Sequence, residues 1–203
     1  MIMRLDVPEV RRRLAERTRL ELHLEGFRES AVLVPIVVEA GLEDRLLLTV
    51  RRADLATHGG QIAFPGGKRD PGDVDLQATA IREAAEELGI EPASVEVLGL
   101  LDDVPTPSKY VITPVVARIV GPLTLRPSAH EVAEVFAPPL SALAEPTRYR
   151  HSGVRTFLGI SYAMHEYRWE KHNIWGATAR MVHQLLETID AGSATAAAQL
   201  ASK

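Results

Sequence analysis

Residues Arg82–Gly89 read REAAEELG, which puts Glu83, Glu86 and Glu87 inside five consecutive positions. At about 100° of rotation per helical residue, Glu86 falls about −60° and Glu87 about +40° from Glu83, so the three carboxylates share one face. Like charges at those spacings destabilise a helix by roughly 0.2–0.5 kcal/mol per pair. The negative end of the helix dipole disfavours them further. Two readings stand. One is a solvated helix face, where water and salt keep the penalty small. The other is a cation site, because clustered oxygens suit Mg²⁺ or Mn²⁺.

The residues around the cluster bear on that choice. Gly66-Gly67 lets backbone approach a ligand without side-chain obstruction. Arg51, Arg52, His58, Lys68 and Arg69 surround this glycine loop and are candidates to hold phosphates. Lys109 and Tyr110, in DDVPTPSKY, are further candidates for substrate contact. The stretch THGGQIAFPGGKRDPGDVD is rich in Gly, Pro and Asp and reads as a functional loop with one apolar island, Ile62–Phe64. It feeds DLQATAIREAAEELG, a helix with Asp73 or Asp75 as its N-cap and Gly89 as its stop. Leu76, Ala80, Ala84 and Leu88, with Ile81 and Ala85 beside them, supply its buried stripe.

The elements that must position this segment follow from the apolar runs. PEVRRRLAERTRLEL reads as an N-terminal helix. SAVLVPIVVEA and DRLLLTVRR read as two strands joined by a tight turn. SVEVLGLL and VITPVVARIV read as strands flanking a loop, and EVFAPPLSAL as a short strand running into a helix. RTFLGISYAMHEYRWE reads as a hairpin, and WGATARMVHQLLETID as the final helix. Trp169 and Trp175 are expected in the core or at a subunit contact. His130, His151, His165, His172 and His183 show no metal-ligand spacing.

The chain has 203 residues, 46% hydrophobic and 25% charged, the balance of a soluble globular protein with no internal linker. Its net charge of −4 gives no electrostatic ground for nucleic-acid binding. An anionic substrate must therefore be drawn by local cations or by bound metal. The absence of cysteine excludes disulfides, thiolate metal sites and a cysteine nucleophile. The longest apolar stretch is broken by Pro35 and Glu39, too short to span a bilayer, and the N-terminus lacks signal-peptide features. No membrane association and a cytoplasmic location are expected.

The segment GGKRDPGDVDLQATAIREAAEELGI resembles the Nudix box, the loop–helix signature of Nudix hydrolases. The second half of that pattern is matched by Arg82, Glu83, Ala84, Glu86, Glu87, Gly89 and Ile90. The first half departs from it: five residues after Gly67 comes Asp73 rather than Glu, and eight residues rather than seven precede Arg82. Upstream, LLLTVRRADLATHGGQIAFPGG is similar to the extra signature of the coenzyme A pyrophosphatase branch, with His58 where Arg or Lys is expected.

The resemblance implies an α+β Nudix-like fold, a mixed β-sheet sandwiched between helices with an added N-terminal helix. One domain is expected over residues 1–203, with an N-terminal helical extension at 1–27, the box at 66–90 and a C-terminal helix and tail at 174–203. It implies Mg²⁺- or Mn²⁺-dependent hydrolysis of coenzyme A or a derivative to 3′,5′-ADP and 4′-phosphopantetheine or its acyl form. Glu83 and Glu87 would be direct ligands, Glu86 a ligand or its neighbour, and the Gly67 carbonyl would complete the sphere. Arg82 would anchor the box by pairing with a carboxylate. Glu131 is the candidate distal ligand or general base, with Glu134 as the alternative. The partner is a small molecule, and a homodimer stays open. Other substrates such as ADP-ribose, NADH or a dinucleoside polyphosphate are the competing enzymatic reading. A non-catalytic nucleotide sensor is the third.

Overall fold

The computed structural model describes residues 4–54, 59–120 and 123–200, and for Ile160 and residues 190–200 it describes the backbone alone. Helix α1 (Val7–Glu16) opens the described chain. Asp6 caps it by accepting the Glu9 N–H at 3.1 Å, and Pro8 sits in its first turn. It stops well short of the expected span because tertiary bonds claim the next segment. Arg17 pairs with Asp102 at 2.6 Å, Arg19 pairs with buried Asp103, and the Leu22 N–H reaches Asp103 at 2.9 Å.

Strand β1 (Arg28–Val38) runs along the middle of the main sheet. It pairs antiparallel with β2 (Arg45–Leu46). Strand β3 (Leu48–Arg51) does not continue that pairing; it leaves at Leu47 for a second sheet. The single hairpin expected here is therefore divided. Leu46 and Leu48 pack into one core cluster and Leu47 into the other, while beyond Leu47 the strand takes β4 and β9 as its partners. The expected featureless loop contains two short strands, β4 (Ile62–Ala63) against β3 and β5 (Gly66–Lys68) against β1. Edge pairing, rather than intrinsic propensity, satisfies their backbone groups.

Helix α2 (Leu76–Leu88) follows, then β6 (Val95–Leu100), β7 (Val104–Pro105) and β8 (Tyr110–Val120). Strand β8 lies parallel to β1 over its whole length, while β6 and β7 pair antiparallel with β8. Strand β9 (Val132–Phe136) joins β3, and the short helix α3 (Leu140–Leu143) follows it. Strands β10 (Tyr149–Phe157), β11 (Ile160–Trp169) and β12 (His172–Ile174) form a third sheet, and α4 (Gly176–Leu200) closes the chain.

Alternation along β1 and β8 makes the sandwich. Ala31, Leu33, Val37, Val115 and Ala117 face Ala80, Ala84 and Leu88 of α2. Val34, Ile36 and Val116 face a second cluster with Val10 and Leu14 of α1 and Met181, Val182 and Leu185 of α4. The expected α+β arrangement of a mixed sheet between helices, with an added N-terminal helix, is present. Among the described residues no helix is long and apolar enough to cross a membrane.

Candidate active site

Helix α2 presents the glutamates. Asp75 caps it by accepting the Ala78 N–H at 2.7 Å. Gly89, at φ 69°, ends it in the left-handed conformation that favours glycine. With Ala80, Ala84 and Leu88 locked against the sheet, the three carboxylates diverge. Glu87 is 3% exposed, the Glu83 side chain 15% and the Glu86 side chain 60%. Glu83 and Glu87 turn toward β5, whereas Glu86 turns to solvent and pairs with Arg82 at 3.1 Å. The face is therefore not uniformly solvated.

The glycines of β5 permit this approach. A β-carbon on Gly67 would lie 2.6 Å from Glu83 Cδ, and one on Gly66 would lie 2.6 Å from Val32 Cα. The Gly66 N–H lies toward the Glu87 carboxylate and weakly favours its charged form. A third acid arrives from a distant segment. The Arg126 and Ser128 N–H groups donate at 2.8 Å to the carbonyls of Leu88 and Glu87, docking residues 126–131 on the C-terminal end of α2. Arg52 N–H holds the Glu131 carbonyl at 2.9 Å. Glu131 thereby stands close enough to Glu83 and Glu87 to repel both.

Burial pushes the Glu83 carboxyl up, against the pull of Arg82. Burial pushes Glu87 up to about 8; Arg51, with Nη1 at 3.6 Å, pulls the other way, and Glu131 and Glu83 add to the rise. These are carboxylates short of positive charge.

Arg82 bridges the loop and the helix. Its Nε and Nη2 reach the two Asp73 oxygens at 3.0 and 3.1 Å, a bidentate pairing. It also donates to the Lys68 carbonyl at 3.2 Å and to Glu83 Oε1 at 3.0 Å. Asp73 further accepts from the Asp70 N–H and the Thr79 hydroxyl, both at 2.9 Å. The Arg82 guanidinium beside it holds this carboxyl well below the usual carboxylate range. The acid that departs from the family spacing is thus the partner of Arg82.

A cavity of about 320 Å³ opens beside β5, and Arg51, Gly66, Gly67, Lys68 and Tyr110 line it. The other basic candidates stand elsewhere. Arg52 pairs with Asp54 at 2.7 Å, and Arg69 with Glu29 at 2.9 Å. Lys109 occupies an exposed turn at φ 59°. His58 lies outside the described residues. Glu134, the alternative base, pairs with Lys171 at 2.9 Å and His172 at 3.2 Å, away from the acid group. Neither tryptophan is a core residue: Trp175 is 50% exposed, and Trp169 is covered by the Arg148 guanidinium at 4.9 Å. Sequence spacing also hid a stack of His165 on His183, 3.8 Å between ring centres. Among the cavity residues that escaped notice are Ala177, Thr178 and Met181 of α4. No spacing rule ties this helix to a glycine loop about 110 positions earlier.

As the side chains stand, no three His, Asp or Glu groups among the described residues converge closely enough to hold a metal ion. Glu83 leans to Arg82 and Glu87 to Arg51, so two guanidiniums supply part of the charge a cation would bring. The donor set nonetheless fits a hard divalent ion. It is made of oxygens, it has excess negative charge, and it faces a backbone that only glycine lets so near.

A loop–helix acid site on an α+β sandwich of this kind defines a class, and the comparisons agree. The model of the NUDIX domain matches residues 27–157, and the chain belongs to the Nudix hydrolase family. It is 39% identical over 165 residues to the uncharacterized Nudix hydrolase NudL of Photorhabdus laumondii, covering 81% of this chain and 87% of that one. Against the NudL of Citrobacter koseri the identity is 42% over 158 residues, covering 78% and 81%. A MutT/nudix family protein from Enterococcus faecalis shares the fold at a TM-score of 0.53 and 13% identity, covering 90% of this chain and 73% of that one. Nudix hydrolases generally use divalent metal ions and act on small molecules.

Proposed function

We propose that the protein hydrolyses the diphosphate bond of coenzyme A or its derivatives, with Mg²⁺ or Mn²⁺, to 3′,5′-ADP and 4′-phosphopantetheine or its acyl form. The observation that carries the reading is Glu83 packed against Gly67, with Glu87 and Glu131 near enough to repel it electrostatically, beside a cavity lined by Arg51 and Lys68. The branch itself rests on LLLTVRRADLATHGGQIAFPGG, which supports coenzyme A over ADP-ribose or NADH.

Glu83 and Glu87, with the Gly67 carbonyl, would hold the cation. When bound, it supplies charge neutralisation of the diphosphate and lowers the pKa of water at the site. Arg51 and Lys68 bind the phosphate oxygens and orient the bridging bond. Arg82, fixed by Asp73, keeps α2 in register with β5 and so keeps Glu83 in place. Glu131 takes the proton of the attacking water as its oxygen bonds to phosphorus. The bridging P–O bond breaks, and the leaving phosphate departs with the bridging oxygen. Glu86, turned to solvent, stays outside the ligand set.

Product identification after incubation with coenzyme A and Mg²⁺ or Mn²⁺ tests the reading. Release of 3′,5′-ADP together with 4′-phosphopantetheine is expected. Untouched coenzyme A alongside rapid cleavage of ADP-ribose or NADH would move the assignment to another diphosphate. No cleavage of any diphosphate, with nucleotide binding retained, would make the protein a sensor.

A further inference from the structure

The cavity beside β5 has an unlike lining. Beside Gly66 and Gly67 stand Arg51 and Lys68, the only charged side chains among the described residues that line it. Much of the remaining wall is apolar, with Val32, Ile62, Phe64 and Ile112 from the sheets and Ala177 and Met181 from α4. Four of the hydroxyls in that wall, on Ser30, Thr106, Ser108 and Thr178, are bonded within the protein. Thr178 donates to the Ile62 carbonyl at 2.9 Å and Ser30 to the Val111 carbonyl at 3.0 Å. Thr106 is engaged with Tyr110 backbone and with Ser108, all at 3.1 Å. An apolar segment of a ligand arm packs against this wall without giving up hydrogen bonds.

We infer that the first two turns of α4 are the specificity wall of the site. Met181 and Ala177 border the second arm of the diphosphate substrate and set how much apolar length that arm carries. The inference rests on the diphosphate hydrolase reading and deepens it. Met181 suits the task because a buried, unbranched thioether adapts to ligands of different length. Thr178, bonded across to β4, fixes the helix start against the strand that leads into the glycine loop, so the wall keeps its distance from the phosphate end.

The test compares kcat/KM for coenzyme A, its acetyl and octanoyl thioesters and ADP-ribose in the native protein, Met181→Ala and Ala177→Leu. Calorimetric affinities for 4′-phosphopantetheine and its octanoyl thioester are measured in parallel. Met181→Ala opens the wall and is expected to raise the octanoyl-to-free ratio about tenfold, while Ala177→Leu lowers it by a similar factor. Both ratios staying within about twofold of native, in turnover and in binding, overturns the inference and leaves the hydrolase reading standing. ADP-ribose outrunning every coenzyme A compound overturns it too. If nothing is cleaved but the affinity ratios shift as stated, the hydrolase reading fails and the wall stands. Because the two substitutions act in opposite directions, a loss of folding in either cannot mimic the result.

Discussion

Gly67 and Glu83 compete for one volume. A β-carbon on Gly67 would stand 2.6 Å from the Glu83 carboxyl carbon and 2.7 Å from its Oε2, so the glutamate occupies the place where any other residue would put its side chain. Gly67→Ala is expected to push Glu83 aside and cut kcat by roughly 100-fold, the scale on which a misplacement of about 1 Å acts. Because β5 is a short edge strand, the melting temperature should move little by comparison. Unchanged turnover in Gly67→Ala would show that the position of Glu83 is immaterial.

Glu87 links activity to pH and stability. Its folded value, about 8, lies above the ordinary 4.5. Such a group contributes stability that is complete below the unfolded value and is lost as pH rises through the folded one. Without metal, the interval corresponds to on the order of 5 kcal/mol. Glu87→Gln in chelator should therefore melt above the native protein at pH 9, and the gap should close toward pH 5. The same substitution, and Glu83→Gln, should lower turnover by orders of magnitude with the fold retained. Equal melting differences at both pH values would contradict the buried-acid account.

Glu131 and Glu134 separate cleanly by surroundings. The first faces Glu83 and Glu87; the second is held by Lys171 and His172. Glu131→Gln should reduce kcat by roughly 10²–10⁴-fold and flatten the acid limb of the pH–rate profile, as loss of a general base does. Glu134→Gln should leave both near native. The reverse outcome would exchange their roles.

Asp73 and Arg82 should behave as one unit. Asp73→Asn and Arg82→Ala are each expected to cost about 1.5–3 kcal/mol, the range for hydrogen bonds to charged groups. The double variant should cost much less than the sum, because the interaction is lost only once. Glu86→Ala, by contrast, removes one exposed pair with Arg82 and should stay within about 0.5 kcal/mol of native. Additive losses at Asp73 and Arg82, measured by chemical denaturation, would dissolve the proposed pairing.

What the sequence determined by itself is local. Helix α2, its glycine stop and its apolar stripe were legible because cap chemistry and a 3.6-residue period act within one element. The family was legible because the box and the upstream signature are contiguous. Tertiary structure decided which glutamates are buried. On the bare helix Glu83, Glu86 and Glu87 are equivalent neighbours; only the sheet beneath α2 and the glycines of β5 bury the first and third and leave the second in water. It also decided the long-range partners. Asp73 reached Arg82, Glu131 was carried in by backbone bonds to the end of α2, and α4 closed the cavity from the far end of the chain. The last two depend on desolvation and packing between segments far apart in the chain, and neither leaves a period or a spacing to read.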